Sequence, residues 1–158
     1  MDEKKYRVGL VTGTFDLLHQ GHAHLWQRAA AECEQLIIGV ESDKRVRARK
    51  GAGRPLYNQD ERKKRIESVF PGARVEILPE NFGEEEVRAA YLAQKNIEAL
   101  FVGEGEDEYM DNKRRLLAAR GGHVVTVSGR PVISMTKILA GEQSPDYLLL
   151  VEDRRWLK

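Results

Sequence analysis

At 158 residues, with 41% hydrophobic and 32% charged side chains, the chain has the size of one globular domain that buries roughly 70% of its unfolded surface. A formal net charge of +1 excludes broad electrostatic binding to nucleic acid or an anionic membrane, so any basic patch must be local and suited to a small anion. One cysteine, Cys33, excludes an internal disulfide and points to a reducing compartment. Met1–Lys5 has no signal-like apolar run and no stretch has the length of a membrane span, so the expected location is cytoplasmic.

In chain order, Tyr6 to Thr12 reads as a first strand and Gln20 to Glu34 as a first helix, with Cys33 a core position inside it. Between them lies Gly13-Thr14-Phe15-Asp16-Leu17-Leu18-His19-Gln20-Gly21-His22. A buried strand, a glycine-opened turn and a helix N-terminus turn backbone N–H groups toward an anion. His19 and His22 are three positions apart and share a face of the first helical turn.

Leu36 to Val40 is a continuous apolar run, as in a strand covered on both faces of a parallel sheet. Glu41-Ser42-Asp43 closes it, and a basic, glycine-punctuated loop from Arg45 to Arg54 follows. Asn58 is a helix cap with Glu61 three positions on, Arg62 to Phe70 is the helix body, and Pro71-Gly72 ends it. Val75 to Leu78 is a third strand, Glu84 to Gln94 a helix, and Ala99 to Gly103 a fourth strand. Asp107 to Arg120 is helical, Val124 to Val127 is a fifth strand, and Ser134 to Ala140 begins another helix. Ser144-Pro145 opens a C-terminal helical tail whose apolar face, Tyr147 to Val151 with Trp156 and Leu157, packs on the domain or on a second copy.

Strands alternating with helices predict a single α/β domain over 1–140: a Rossmann-like, five-stranded parallel sheet with helices on both faces, followed by the tail at 141–158. Ligands in such sheets bind beyond the strand C-termini, where the strand order reverses. His19, His22 and His24 are close enough in sequence to suggest a metal cluster. Positions 22 and 24 do not share a helix face, so no dedicated metal site is expected.

The decapeptide Gly13–His22 resembles the signature of the HxGH nucleotidyltransferase superfamily, nearest to its cytidylyltransferases for glycerol phosphate and phosphocholine. The similarity runs from the first strand to Leu139 and leaves 141–158 outside. It implies transfer of a nucleotidyl group, CMP from CTP, to a small phosphorylated acceptor with release of pyrophosphate. His19 and His22 would contact the triphosphate and stabilise the transition state. Gly13, Thr14, Phe15 and Gly21 would line the nucleotide, and Asp16 would lie beside the acceptor or order the loop.

Lys50 matches the family's phosphate-contacting lysine, Arg62 a phosphate-facing arginine, and Ile133-Ser134-Met135-Thr136 an ISTT-type motif in which Ser134 and Thr136 hold the β- and γ-phosphates. Arg130 stands one position after the family's arginine, where this chain has Gly129. Glu104 takes the place of the aspartate that meets the cytosine amino group, and it would serve adenine equally. The alternative is therefore an adenylyltransferase using ATP on a sugar phosphate, FMN or pantetheine phosphate. An inactive nucleotide-binding regulatory module is the alternative from another class. The resemblance further implies Mg2+ brought in with the nucleotide, and a homodimer.

Overall fold

The computed structural model describes residues 3–105 and 109–157. Five parallel strands form one sheet: β1 (Tyr6–Gly13), β2 (Cys33–Val40), β3 (Arg74–Ile77), β4 (Ala99–Val102) and β5 (His123–Thr126), in the order β3-β2-β1-β4-β5. β1 is central, in register with β2 from Tyr6↔Cys33 to Gly13↔Val40 and with β4 at Gly9↔Ala99 and Leu10↔Leu100. The chain winds outward to β3 on one side, then crosses to β4 on the other. The strand order therefore reverses at β1/β4, beside the end of β1.

Alternate residues of the central strands feed two cores. Val11 and Ile38 face Leu25, Trp26 and Ala29 of α1 (Gln20–Glu32) and Ile66 of α3 (Gln59–Val69). Leu10 and Ile37 face Tyr91 and Leu92 of α4 (Glu85–Gln94) and Leu117 of α5 (Met110–Ala118). Period-two alternation in strands buried on both faces thus yields the continuous apolar runs of the sequence.

Three elements differ from the sequence reading. The basic stretch read as a loop is helical over α2 (Asp43–Lys50). Only Val46 of α2 is buried, so there was no apolar stripe to find. The helix is instead held at its ends. Ser42 accepts the Arg45 N–H, and Arg47, Arg49 and Lys50 complement the C-terminal dipole. Cys33 is the first residue of β2 rather than part of α1, buried with its thiol toward Ala29 O. The helix expected from Asp107 begins at Met110; Asp107 itself lies outside the described residues.

The tail forms two 3-10 turns, Pro145–Tyr147 and Val151–Trp156, on the domain surface. Leu149 N–H donates to Leu18 O at 2.9 Å, and Leu148 makes an antiparallel bridge to His19. Asp153 is fully buried; it accepts from Tyr57 Oη at 2.6 Å and pairs with Arg65. The tail therefore braces both the loop that precedes α3 and the start of α1. Among the described residues, no helix is long and apolar enough to cross a membrane.

Candidate active site

The turn after β1 is folded by its own side chains. Phe15 takes a positive φ of 52° and packs its ring over Gly13, where a Cβ would lie 2.8 Å from it. Gly13 is thus required by close approach. Phe15 then meets His22 edge-on at 5.3 Å, and Trp26 lies parallel to His22 at 5.8 Å on the next helical turn. His19 stacks on His22 with ring centroids 3.8 Å apart.

His19 is the N-cap of α1. Its Nδ1 accepts the Gly21 N–H at 3.1 Å, while His22 Nδ1 accepts the His19 N–H at 3.2 Å. Two imidazoles thereby make the reciprocal bonds that Ser and Glu make in a capping box. A ring nitrogen that accepts carries no proton, so the proton of each neutral ring sits on Nε2. Burial, then the Arg130 charge, lowers the His19 pKa to about 4. Burial, then His19, Arg130 and Lys50, holds His22 well below the ordinary histidine value. At neutral pH both rings are uncharged, with one N–H donor each left over after the caps are made.

Charge is supplied beside them. Arg130 lies between Gly21 and Gly103: a Cβ on Gly21 would be 3.4 Å from its Nε, and one on Gly103 2.7 Å from its Nη1. The guanidinium therefore spans the gap between the start of α1 and the end of β4, across the switch point. Lys50, at the end of α2, is exposed as a residue, yet partial desolvation of its ammonium lowers its pKa, Glu41 opposing and Arg54 and Arg49 adding.

Several expected site residues are used otherwise. Arg62 is turned inward and fully buried, with Nε donating to Tyr57 O (2.9 Å), Nη1 to Thr14 O (2.7 Å) and Nη2 to Asp43 Oδ1 (2.8 Å). It pins the motif from beneath, so the phosphate-facing expectation is corrected. Asp16 is buried and accepts the N–H groups of Leu56 and Tyr57 at 2.7 and 3.0 Å. It orders that loop, with both oxygens occupied.

Glu104 is exposed and accepts the Gly129 N–H at 2.9 Å, tying together the loops after β4 and β5. Ser134 caps α6 (Met135–Leu139) through the Lys137 N–H, and Thr136 is exposed on its first turn. His24 is drawn off to Ser128 O at 3.3 Å. No group of three or more His, Cys, Asp or Glu residues that could hold a metal occurs among the described residues.

Two cavities flank the motif. One of about 280 Å³ lies on the β4 side, among Gly103, Glu104, Gly105, Met110 and Arg130. The other, about 340 Å³, lies on the β2 side, among Gly13, Thr14, Glu41, Arg45, Arg49 and Lys50. Glu41 is buried here, accepting from Thr14 Oγ1 at 3.3 Å and from Arg49 Nη1 at 2.6 Å. The sequence reading passed over Glu41, Arg45 and Arg49. Their one signal was position: they follow the C-terminal end of a parallel strand, where ligands gather.

The Cytidylyltransferase-like family matches residues 10–152. The chain belongs to this family. The match continues past Leu139 and takes in most of the tail, correcting the expectation that 141–158 stands outside the resemblance. Among curated relatives of this cytidylyltransferase-like chain, the Bifunctional protein HldE of Rhodopseudomonas palustris strain BisB5 is 32% identical over 136 residues, covering 84% of the chain and 26% of that protein. The chain thus spans about a quarter of the length of such relatives.

In solved structures, a bifunctional NMN adenylyltransferase/ADP ribose pyrophosphatase from Francisella tularensis, complexed with AMP and a manganese ion, superposes with TM-score 0.62. It shares 20% identity and covers 94% of this chain and 46% of that one. A lipopolysaccharide core biosynthesis protein from Thermoplasma volcanium superposes at 0.61 with 19% identity, covering 77% and 96%. At such identities these likenesses bear on the fold, which is the Rossmann-like nucleotidyltransferase fold.

Proposed function

We propose that the enzyme transfers a nucleotidyl group from a magnesium-bound nucleoside triphosphate to a small phosphorylated acceptor. An acceptor phosphate oxygen attacks the α-phosphorus, the bond to the α,β-bridging oxygen breaks, and pyrophosphate departs with that electron pair. The acceptor phosphate is already ionised at neutral pH, so no general base is required. The protein's task is to aim donors at charge developing on the non-bridging and leaving oxygens. One observation carries this reading: the two stacked, neutral imidazoles at the α1 N-terminus, each with its Nε2–H left over, beside the Arg130 guanidinium.

In this reading the β4-side cavity receives the nucleoside and the β2-side cavity the acceptor, with the α-phosphate over the motif between them. Lys50 and Arg130 contribute charge from opposite sides. We take ATP as the donor. The structural neighbours named with a nucleotide carry adenine ones, AMP in the Francisella enzyme and AMP-PNP in NadR. Glu104 could accept from the exocyclic amino group of adenine. CTP is the second reading, favoured by the family's description and served by the same carboxylate.

The test is pyrophosphate release over a panel of phosphorylated acceptors with ATP and with CTP. Release with ATP and one acceptor, lost in His22→Ala, supports the proposal, and preferential turnover of CTP moves it to the second reading. Nucleotide binding without release from any pair, or full turnover in His22→Ala, contradicts it.

A further inference from the structure

The β2-side cavity holds a largely buried arginine whose Nε has no hydrogen-bond partner among the described residues. The Arg45 side chain is 13% exposed, and its Nε lies 3.6 Å from Glu41 Oε1, beyond hydrogen-bond range. That same oxygen already takes Arg49 Nη1 at 2.6 Å, and the other takes the Thr14 hydroxyl. Arg45 Nε is buried without a hydrogen-bond partner, and Glu41 supplies only the longer ion-pair contact. The group packs instead at 5.8 Å from the Tyr109 ring and against the backbone of Gly83. Burying an N–H of a charged group without a hydrogen bond is costly, so an unmet one calls for a physical reason.

Gly83 makes this arrangement possible. A Cβ there would fall 2.1 Å from Arg45 Nη1, so the guanidinium tip keeps this position only beside a glycine. The slot itself is fixed, because Arg88 Nη1 donates to the carbonyls of Phe82 and Gly83 at 3.3 and 3.2 Å. Arg45, Arg49 and Lys50 outnumber Glu41 in charge along the same wall. A cavity whose described lining is rich in basic side chains, with a planar guanidinium set in a slot and its Nε unmet, has the chemistry of a phosphate receiver.

We propose that Arg45, held over Gly83 and beside Glu41, is the residue that binds a phosphate oxygen of the acceptor and so selects phosphorylated acceptors. This rests on the nucleotidyl-transfer reading. It assigns Arg45 to the acceptor rather than to the nucleotide, because Arg45 stands on the β2 flank while Arg130 and Gly103 line the opposite one.

The experiment titrates inorganic phosphate by calorimetry into protein first saturated with a non-hydrolysable ATP or CTP analogue, which removes the nucleotide's own phosphate stations from the reading. Wild type is compared with Arg45→Gln and with Gly83→Ala. The second variant keeps every charge and displaces only the tip of a flexible side chain, so it folds and still empties the slot. The expected result is a loss of phosphate affinity of at least about tenfold in both, as for a lost charge-assisted bond, with affinity for the analogue unchanged.

Unchanged phosphate affinity in either variant overturns the proposal. So does an equal loss of analogue affinity, or a wild type that binds no phosphate. Failure of the transfer reading has its own signature, no pyrophosphate from any nucleotide and acceptor, and it would overturn the assignment to an acceptor even where Arg45→Gln still loses phosphate.

Discussion

The two flanks of the motif are built on opposite terms. On the α1 side one nitrogen of each imidazole is spent on structure. His19 and His22 cap the helix, stack on one another and rest on Trp26 and Phe15. On the β2 side one carboxylate serves several groups: Glu41 accepts from Thr14 and Arg49 and lies 3.6 Å from Arg45 Nε, beyond hydrogen-bond range. The first arrangement is preorganised and needs no partner to hold its shape, as suits groups that must be in place before charge develops. The second is completed by what binds it. Reaction type and acceptor choice are thus carried by different kinds of structure within one small site.

The most damaging way to break this contrast is from below. Arg62→Met leaves Asp43 and the carbonyls of Thr14 and Tyr57 without their donor, and removing one member of such a buried network costs about 3–5 kcal/mol. Denaturant unfolding should show that loss. If Arg62→Met instead keeps wild-type stability and only raises the acceptor KM, the inward assignment of Arg62 is wrong. Next in size is His22→Ala, which removes a transition-state donor and should lower pyrophosphate release by about 10²–10³-fold, with little change in the nucleotide KM. A rise in KM at constant kcat would make His22 a binding residue only.

Tyr57→Phe sharpens the comparison by loosening the brace beneath both flanks. It deletes the bond to buried Asp153 and those received from Arg155 and Trp156. A loss of about 1–2 kcal/mol is expected by thermal or urea unfolding; no loss would mean that the tail does not load the domain through this residue.

The smallest effect expected is that of acid. The unfolded histidines protonate near 6.5, while His19 in the fold does so only at about 4 and His22 also titrates low. The unfolded chain therefore takes up protons first, so stability is complete above pH 6.5 and falls as pH drops toward 4. Between pH 7 and 5.5 the loss should be on the order of 1 kcal/mol per histidine and should shrink in His22→Asn. An equal loss in wild type and variant would contradict the account.

What could be read from the chain, and what could not, follows the same division. Val8 to Val11 and Leu36 to Val40 announce buried strands because both faces are covered. The decapeptide announces its turn because glycine and histidine at that spacing serve few other purposes. α2 gave no such signal, since a helix held by Ser42 and its own terminal charges needs no apolar stripe. Arg62 was misplaced because a capped helix start does not reveal whether an arginine faces a ligand or its own backbone. That depends on Thr14, 48 residues earlier. Arg45 read as one more surface cation in a basic run. Only the three-dimensional neighbourhood of Gly83 and Glu41 shows that its Nε is buried without a hydrogen bond.

The central claim, that His19 and His22 are neutral donors fixed by their own caps, is tested most directly by long-range ¹⁵N–¹H correlation spectra of the imidazoles from pH 5 to 8. The account predicts both rings in the Nε2–H form throughout the neutral range, with no titration near 6.5. A ring protonated on Nδ1, or one that titrates at the ordinary histidine value, would contradict it.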